Sequence, residues 1–95
     1  MMTSRKDPDK RQRIAKEIVV DWYNKYCADK KDIEGTTITT KDVYIVWFCK
    51  TLQNWKALLS TDIPDTRYYE VTFNGDKSDA YLDVYMKEDN RTINL

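Results

Sequence analysis

An α+β fold, an N-terminal amphipathic helix packed on a four-stranded antiparallel sheet made of two hairpins, is predicted by three features of this 95-residue chain. Apolar residues recur at helical spacing from Ile14 to Tyr26. Two β-rich runs follow, Val43 to Thr61 and Tyr68 to Met86. Each run is broken by a polar pair suited to a hairpin tip, Gln53-Asn54 in the first and Asn74-Gly75 in the second. A chain of this length builds one hydrophobic core. Residues 1–95 therefore read as a single domain, with a frayed tail at 1–7, a helix at 8–28 and the sheet at 42–87.

The helix is expected to start at Asp7-Pro8, an N-cap followed by a residue whose missing amide hydrogen would be unpaired there anyway. Ile14, Ile18, Trp22 and Tyr26 form its apolar line, flanked by Ala15, Val19 and Tyr23, with Lys10, Arg13, Lys16, Glu17, Asp21 and Lys25 mostly off it. Neither period is sustained from Asp29 to Thr40, which reads as a loop. The run Val43 to Cys49 is β-branched and aromatic, which favours a buried strand, whereas Thr39-Thr40-Lys41-Asp42 ahead of it also reads as a helix capping box. A two-residue tip at Gln53-Asn54 would set Leu52 opposite Trp55 and Lys50 opposite Ala57. Ile63-Pro64-Asp65 is a break. Asn74-Gly75 joins the last two strands, 68–73 and 80–86, and suits the positive φ of a tight turn. Alternation then places Tyr69, Val71, Phe73, Ala80, Leu82, Val84 and Met86 towards the helix. Tyr68, Glu70, Thr72, Tyr81, Asp83, Tyr85 and Lys87 fall on the other side.

Composition narrows the function classes. Hydrophobic residues at 41% and charged residues at 34% suit a folded, water-compatible domain. No segment is apolar enough to span a bilayer, and the polar start lacks the core of a secretory signal, so a cytoplasmic protein without membrane contact is expected. Cys27 and Cys49 have no companions at metal-ligand spacing and read as reduced, small apolar residues. Net charge is zero, but residues 1–16 carry +4 and the remainder −4. The basic end suits phosphates or an acidic partner, or is an ordinary solvated helix start.

The chain has no histidine, the commonest general base near neutral pH and the commonest zinc ligand. Its glycines, Gly35 and Gly75, are too few for a P-loop or a dinucleotide fingerprint. No catalytic residue, metal site or cofactor is expected, and the pair Glu70 and Asp83 reads as solvated acids rather than an acid and base. The positive signal is a cluster at the first hairpin, Lys50, Gln53, Asn54, Trp55 and Lys56. These side chains could neutralise phosphate, read hydrogen-bonding edges and stack on a flat base, or simply be a hairpin whose Trp55 enters the core. Tyr81 and Tyr85, with Asp83 between them, share one face and suit stacking, an interface or packing on a neighbouring strand.

The continuous segment Val43 to Thr61, with Tyr68-Tyr69-Glu70-Val71-Thr72, Asn74-Gly75-Asp76-Lys77 and Tyr81-Leu82-Asp83-Val84-Tyr85, resembles a family of small uncharacterised proteins of phages and prophages in Gram-positive bacteria. The family's small residue and glycine after the Pro-Asp turn are replaced here by Thr66-Arg67. The resemblance transfers no catalytic residue. It implies a phage accessory protein in an infected or lysogenic host. The expected function is non-enzymatic: a homo-oligomeric binding protein that counters a host defence by occupying a host protein or sequestering a nucleotide signal. Lys50, Gln53, Asn54, Trp55, Lys56, Tyr81, Asp83 and Tyr85 are its candidate contacts. A nucleic-acid binder of phage replication or regulation, using the basic N-terminal segment and the sheet aromatics, is the alternative, and a pI near 6.2 weighs against it.

Overall fold

Helix α1 covers Lys10–Tyr26 and ends as the Cys27 amide donates to the Tyr23 carbonyl at 2.8 Å. The computed structural model describes residues 10–27, 37–63 and 67–95. The expected cap at Asp7-Pro8, the end at Ala28, most of the Asp29–Thr40 loop and the break at Pro64-Asp65 lie outside the described residues. The buried line of the helix is Ala15, Val19 and Tyr23, one position round from the line the periodicity favoured. Ile14 and Tyr26 are 37% and 50% exposed, and Ile18 and Trp22 pack only partly against the core. Size explains the rotation. Ala15 and Val19, both fully buried, let the helix axis approach the sheet closely, while the bulkier Ile14, Ile18 and Trp22 lie beside that line and are only partly covered.

A single-turn 3-10 element, Thr40–Asp42, leads into the sheet. The Thr39 amide donates to the Asp42 carboxylate at 2.9 Å, and the Lys41 amide donates to the Thr39 hydroxyl at 3.2 Å. Thr39 to Asp42 is thus a capping box, and the strand nevertheless begins at Val43, so both readings of that segment hold. Ahead of it, Asn24 clasps Ile38 from both sides. Its Nδ2 donates to the Ile38 carbonyl at 3.0 Å, and its Oδ1 accepts the Ile38 amide at 2.8 Å. This joins the helix to the chain entering the sheet and satisfies the backbone of a residue whose side chain is buried in the core.

The sheet runs β1 (Val43–Thr51), β2 (Asn54–Thr61), β3 (Arg67–Asn74) and β4 (Asp79–Met86), each antiparallel to the next and adjacent in that order. The tip of the first hairpin is Leu52-Gln53, not Gln53-Asn54, because Lys50 pairs with Trp55 and Thr51 with Asn54. Leu52 takes the positive φ of 57° that such a tip requires. The pairing slips by two residues, so Lys50 still shares a face with Trp55 and Ala57. In the second hairpin Asn74 pairs with Asp79, and a four-residue tip places the positive φ on Ser78. Gly75 serves closeness instead. A Cβ there would overlap the carbonyl oxygen of Gln53 and crowd its Cβ and Cγ.

The core lies between α1 and one sheet face, where Val43, Ala57, Leu59, Tyr69 and Val71 meet Val19 and Tyr23. Trp22 meets Tyr69 edge-on at 5.8 Å. Further along that face Trp55 stacks on Phe73 at 5.4 Å and lies 5.7 Å from Phe48. The helix lies over β1, β2 and β3. On β4, which it leaves at the margin, Leu82 and Val84 are half-buried, while Ala80 and Met86, expected in the core, are exposed.

Replacing Asn24 by Ala leaves the Ile38 amide and carbonyl without their partners and is expected to destabilise the fold by about 1–3 kcal/mol. Urea unfolding of the variant beside wild type measures it. Asn90→Ala, on the exposed segment after β4, should shift the midpoint negligibly.

Candidate functional site

The sheet face turned away from α1 is built by alternation. Cross-strand pairing sets Cys49, Lys56, Thr72 and Tyr81 in one row, and Trp47, Leu58, Glu70 and Asp83 in the next. Tyr44 pairs with Ser60 and Tyr68 with Tyr85 on the same side. Among the described residues no helix covers this face, and Tyr44, Trp47, Tyr68, Tyr81 and Tyr85 are all substantially exposed, Trp47 at 45%.

Glu70 is the hub of its polar groups. Its carboxylate lies 3.6 Å from the Lys56 ammonium and accepts a hydrogen bond of 3.0 Å from the Tyr85 hydroxyl. The hydrogen bond to Glu70, the Glu70 charge, local desolvation and the Asp83 charge, in that order, hold the Tyr85 phenol above its ordinary value of 10.0. Towards the hairpin tips the face sinks into an open hollow of about 400 Å³. Trp47, Cys49 and Thr51 line it from β1, Asn54 and Lys56 from β2, and Thr72 and Asn74 from β3, with Trp55 and Phe73 completing the lining.

The eight candidate residues do not form one cluster. Asn54, Lys56, Tyr81, Asp83 and Tyr85 lie on the outer face. Trp55 is 5% exposed, and its ring stacks within the core. Lys50 pairs with Trp55 and so belongs to the helix side, where its ammonium donates to the Leu52 carbonyl. Gln53 donates to the Asp76 carboxylate, and Asn54 Oδ1 accepts the Gly75 amide at 2.9 Å. The amides expected to read a ligand thus hold the two hairpin tips together. Both cysteines are free. Cys27 packs partly against the core, but Cys49, expected to behave as a buried apolar residue, is exposed on the outer face.

Sequence reasoning missed Tyr44, Trp47 and Cys49. A bulge between Ile45 and Trp47 changes the pairing sum along β1, so alternation counted from either end of the strand fails at the other. The run's continuous apolar character hid that half of it faces outward.

A family model, described as a family of unknown function (DUF6275), matches residues 12–95, from the first turn of α1 through β4 and beyond. The chain belongs to this family. Neither a curated protein nor a solved structure matches it. The matched span takes in the helix, both hairpins and the whole outer face, so the DUF6275 unit is this sheet with its covering helix. No described helix is long and apolar enough to cross a membrane. Among the described residues no three His, Cys, Asp or Glu side chains gather as they would around a metal ion.

Because its folded-state pKa is raised, Tyr85 contributes stability that is complete below the unfolded value and lost as pH climbs through the folded one. A spectrophotometric tyrosine titration should contain one phenol that ionises above 10.0. Glu70→Gln should bring that phenol back towards 10.0. An unchanged titration would mean that the Glu70 contact does not persist in solution.

Proposed function

We propose that this chain is a non-enzymatic binding protein whose outer sheet face is the contact surface. The observation that carries this reading is the one-sided cover of the sheet. One face is covered by α1 over β1, β2 and β3, and the other presents five exposed aromatic rings around Glu70. Aromatic side chains offer large area at low conformational cost, which suits a surface that meets a macromolecule. Glu70 itself is engaged by Lys56 and Tyr85, as a structural centre would be.

The partner that fits best is another protein rather than a nucleotide. Lys50 and Lys56, which would have to grip a phosphate together, occupy opposite sheet faces, and Lys56 already has Glu70 beside it. For a nucleic acid the described basic positions of the N-terminal segment, Lys10, Arg11, Arg13 and Lys16, belong to the helix layer, across the sheet from the outer tyrosines. One strand of nucleic acid would not reach both. With the resemblance to phage accessory proteins, the reading becomes a phage-encoded protein in the cytoplasm of a bacterial host, occupying a host protein and thereby countering a defence.

Capture from lysate of a Gram-positive host, and protection of phage against that host's defences, test this reading. Trp47→Glu and Lys56→Glu are expected to reduce capture and protection at least tenfold while preserving the circular dichroism spectrum. Lys50→Glu, on the opposite face, should leave both within about twofold of wild type. The reverse pattern, with Lys50→Glu defective and Trp47→Glu intact, would move the contact surface to the helix side and contradict the proposal.

A further inference from the structure

β4 is an edge strand, and among the described residues only β3 pairs with it. All eight residues of β4 pair with β3 without a break, and the strand contains no proline, lysine or arginine, its charges being the two exposed aspartates Asp79 and Asp83 on the outer side. Natural sheets blunt open edges with bulges, prolines and inward or edge charges. The opposite edge, β1, carries such a bulge between Ile45 and Trp47. On the helix side β4 presents Ala80, half-buried Leu82 and Val84, and Met86 at 63% exposure, because α1 lies over the other three strands. β4 thus combines an open backbone ladder with an apolar flank that its own helix leaves uncovered.

We propose that β4 pairs antiparallel with β4 of a second copy, about a twofold axis at Leu82, to make a continuous eight-stranded sheet. This rests on the free edge and stands independently of the partner assigned to the outer face. A second copy suits the site because an antiparallel strand pair about a twofold axis is self-complementary. Directly opposed residues must share a face, so only every second register is open to it. Centring on Asp83 would set that carboxylate against its own copy, a like-charge pair that destabilises. Centring on Val84 would carry the pairing past Met86, where the strand ends, and would set Glu88 against Ala80 and Asp89 against Asp79.

Centring on Leu82 removes both conflicts. Leu82 meets its counterpart and Ala80 meets the partner's Val84, both on the apolar helix side. Asp83 meets the partner's Tyr81 on the outer side, where a phenol can donate to a carboxylate. The pairing also sets Leu82, Val84 and Ala80 of both β4 strands side by side on the helix side, which reduces the apolar area each leaves to water.

Sedimentation equilibrium of the full chain tests this. Wild type is expected at twice the 11.3 kDa chain mass. Ala80→Glu, at an exposed position with no core to disturb, should halve that mass with an unchanged far-ultraviolet spectrum. Val46→Glu, on the β1 edge, should leave it intact. The register has its own readout in a Cys49→Ser background. Mixing the Tyr81→Cys and Asp83→Cys variants under mild oxidation should give a cross-linked dimer, whereas either variant alone should give little, because directly opposed residues lie within disulfide reach. A wild type of single-chain mass, a dimer that survives Ala80→Glu, or cross-linking of either variant alone as strong as in the mixture would overturn the proposal.

Discussion

A helix about 10 Å across cannot cover four strands set about 4.8 Å apart, and the placement of α1 on the sheet determines the rest of this structure. The small side chains Ala15 and Val19 bring the helix close over β1, β2 and β3, and Tyr23 fills the end of the seam. The Asn24 clasp on Ile38 then fixes the chain that enters β1, so helix and first strand are positioned by two hydrogen bonds as well as by apolar contact. Everything the helix does not reach is left to other means of cover. Phe48, Trp55 and Phe73 shield one another beyond the seam, and β4 remains at the margin. Among the described residues, no helix covers the opposite face.

On the proposed reading, the outer face is more than the wet side of an antiparallel sheet. Rings at Tyr44, Trp47, Tyr68, Tyr81 and Tyr85 surround a carboxylate held by an ammonium and a phenol, so the centre of the face is ordered before anything binds. The hairpin tips at its end are locked to each other through Gln53, Asn54, Gly75 and Asp76. A surface held in this way needs little reordering on contact, which lowers the entropic cost of association. If two copies join at β4, their outer faces become one surface with Tyr81 and Asp83 of both chains near its middle.

Much of the fold was legible in the sequence, because helical period, alternation and turn pairs are local signals. Four strands, their order within each hairpin and the two faces of β3 and β4 follow from them. What escaped depends on tertiary geometry. The one-position rotation of the helix reflects which side chains are small enough for close approach, and a count of apolar residues does not weigh size. The two-residue slip of the first hairpin arose because Leu52 accepts a positive φ that sequence preference would assign elsewhere. The bulge in β1 hid Trp47 and Cys49, since nothing in a continuous apolar run announces where its register shifts. Within the candidate site, Tyr81, Asp83 and Tyr85 lie on one face as alternation implied, and the structure adds Lys56 to them. Proximity in sequence misleadingly joined Lys50 and Trp55 to that group.

Hydroxyl-radical footprinting of the purified protein, read residue by residue by mass spectrometry, tests the one-sided cover most directly. Tyr44, Trp47, Tyr81 and Tyr85 should label at rates near those of the unfolded chain, while Trp55 and Tyr69 should be strongly protected. Labelling of Tyr69 as fast as Tyr44 would contradict the placement of the helix, labelling of Trp55 at that rate would contradict the ring stack beyond it, and either would undercut the one-sided cover on which the proposed contact surface rests.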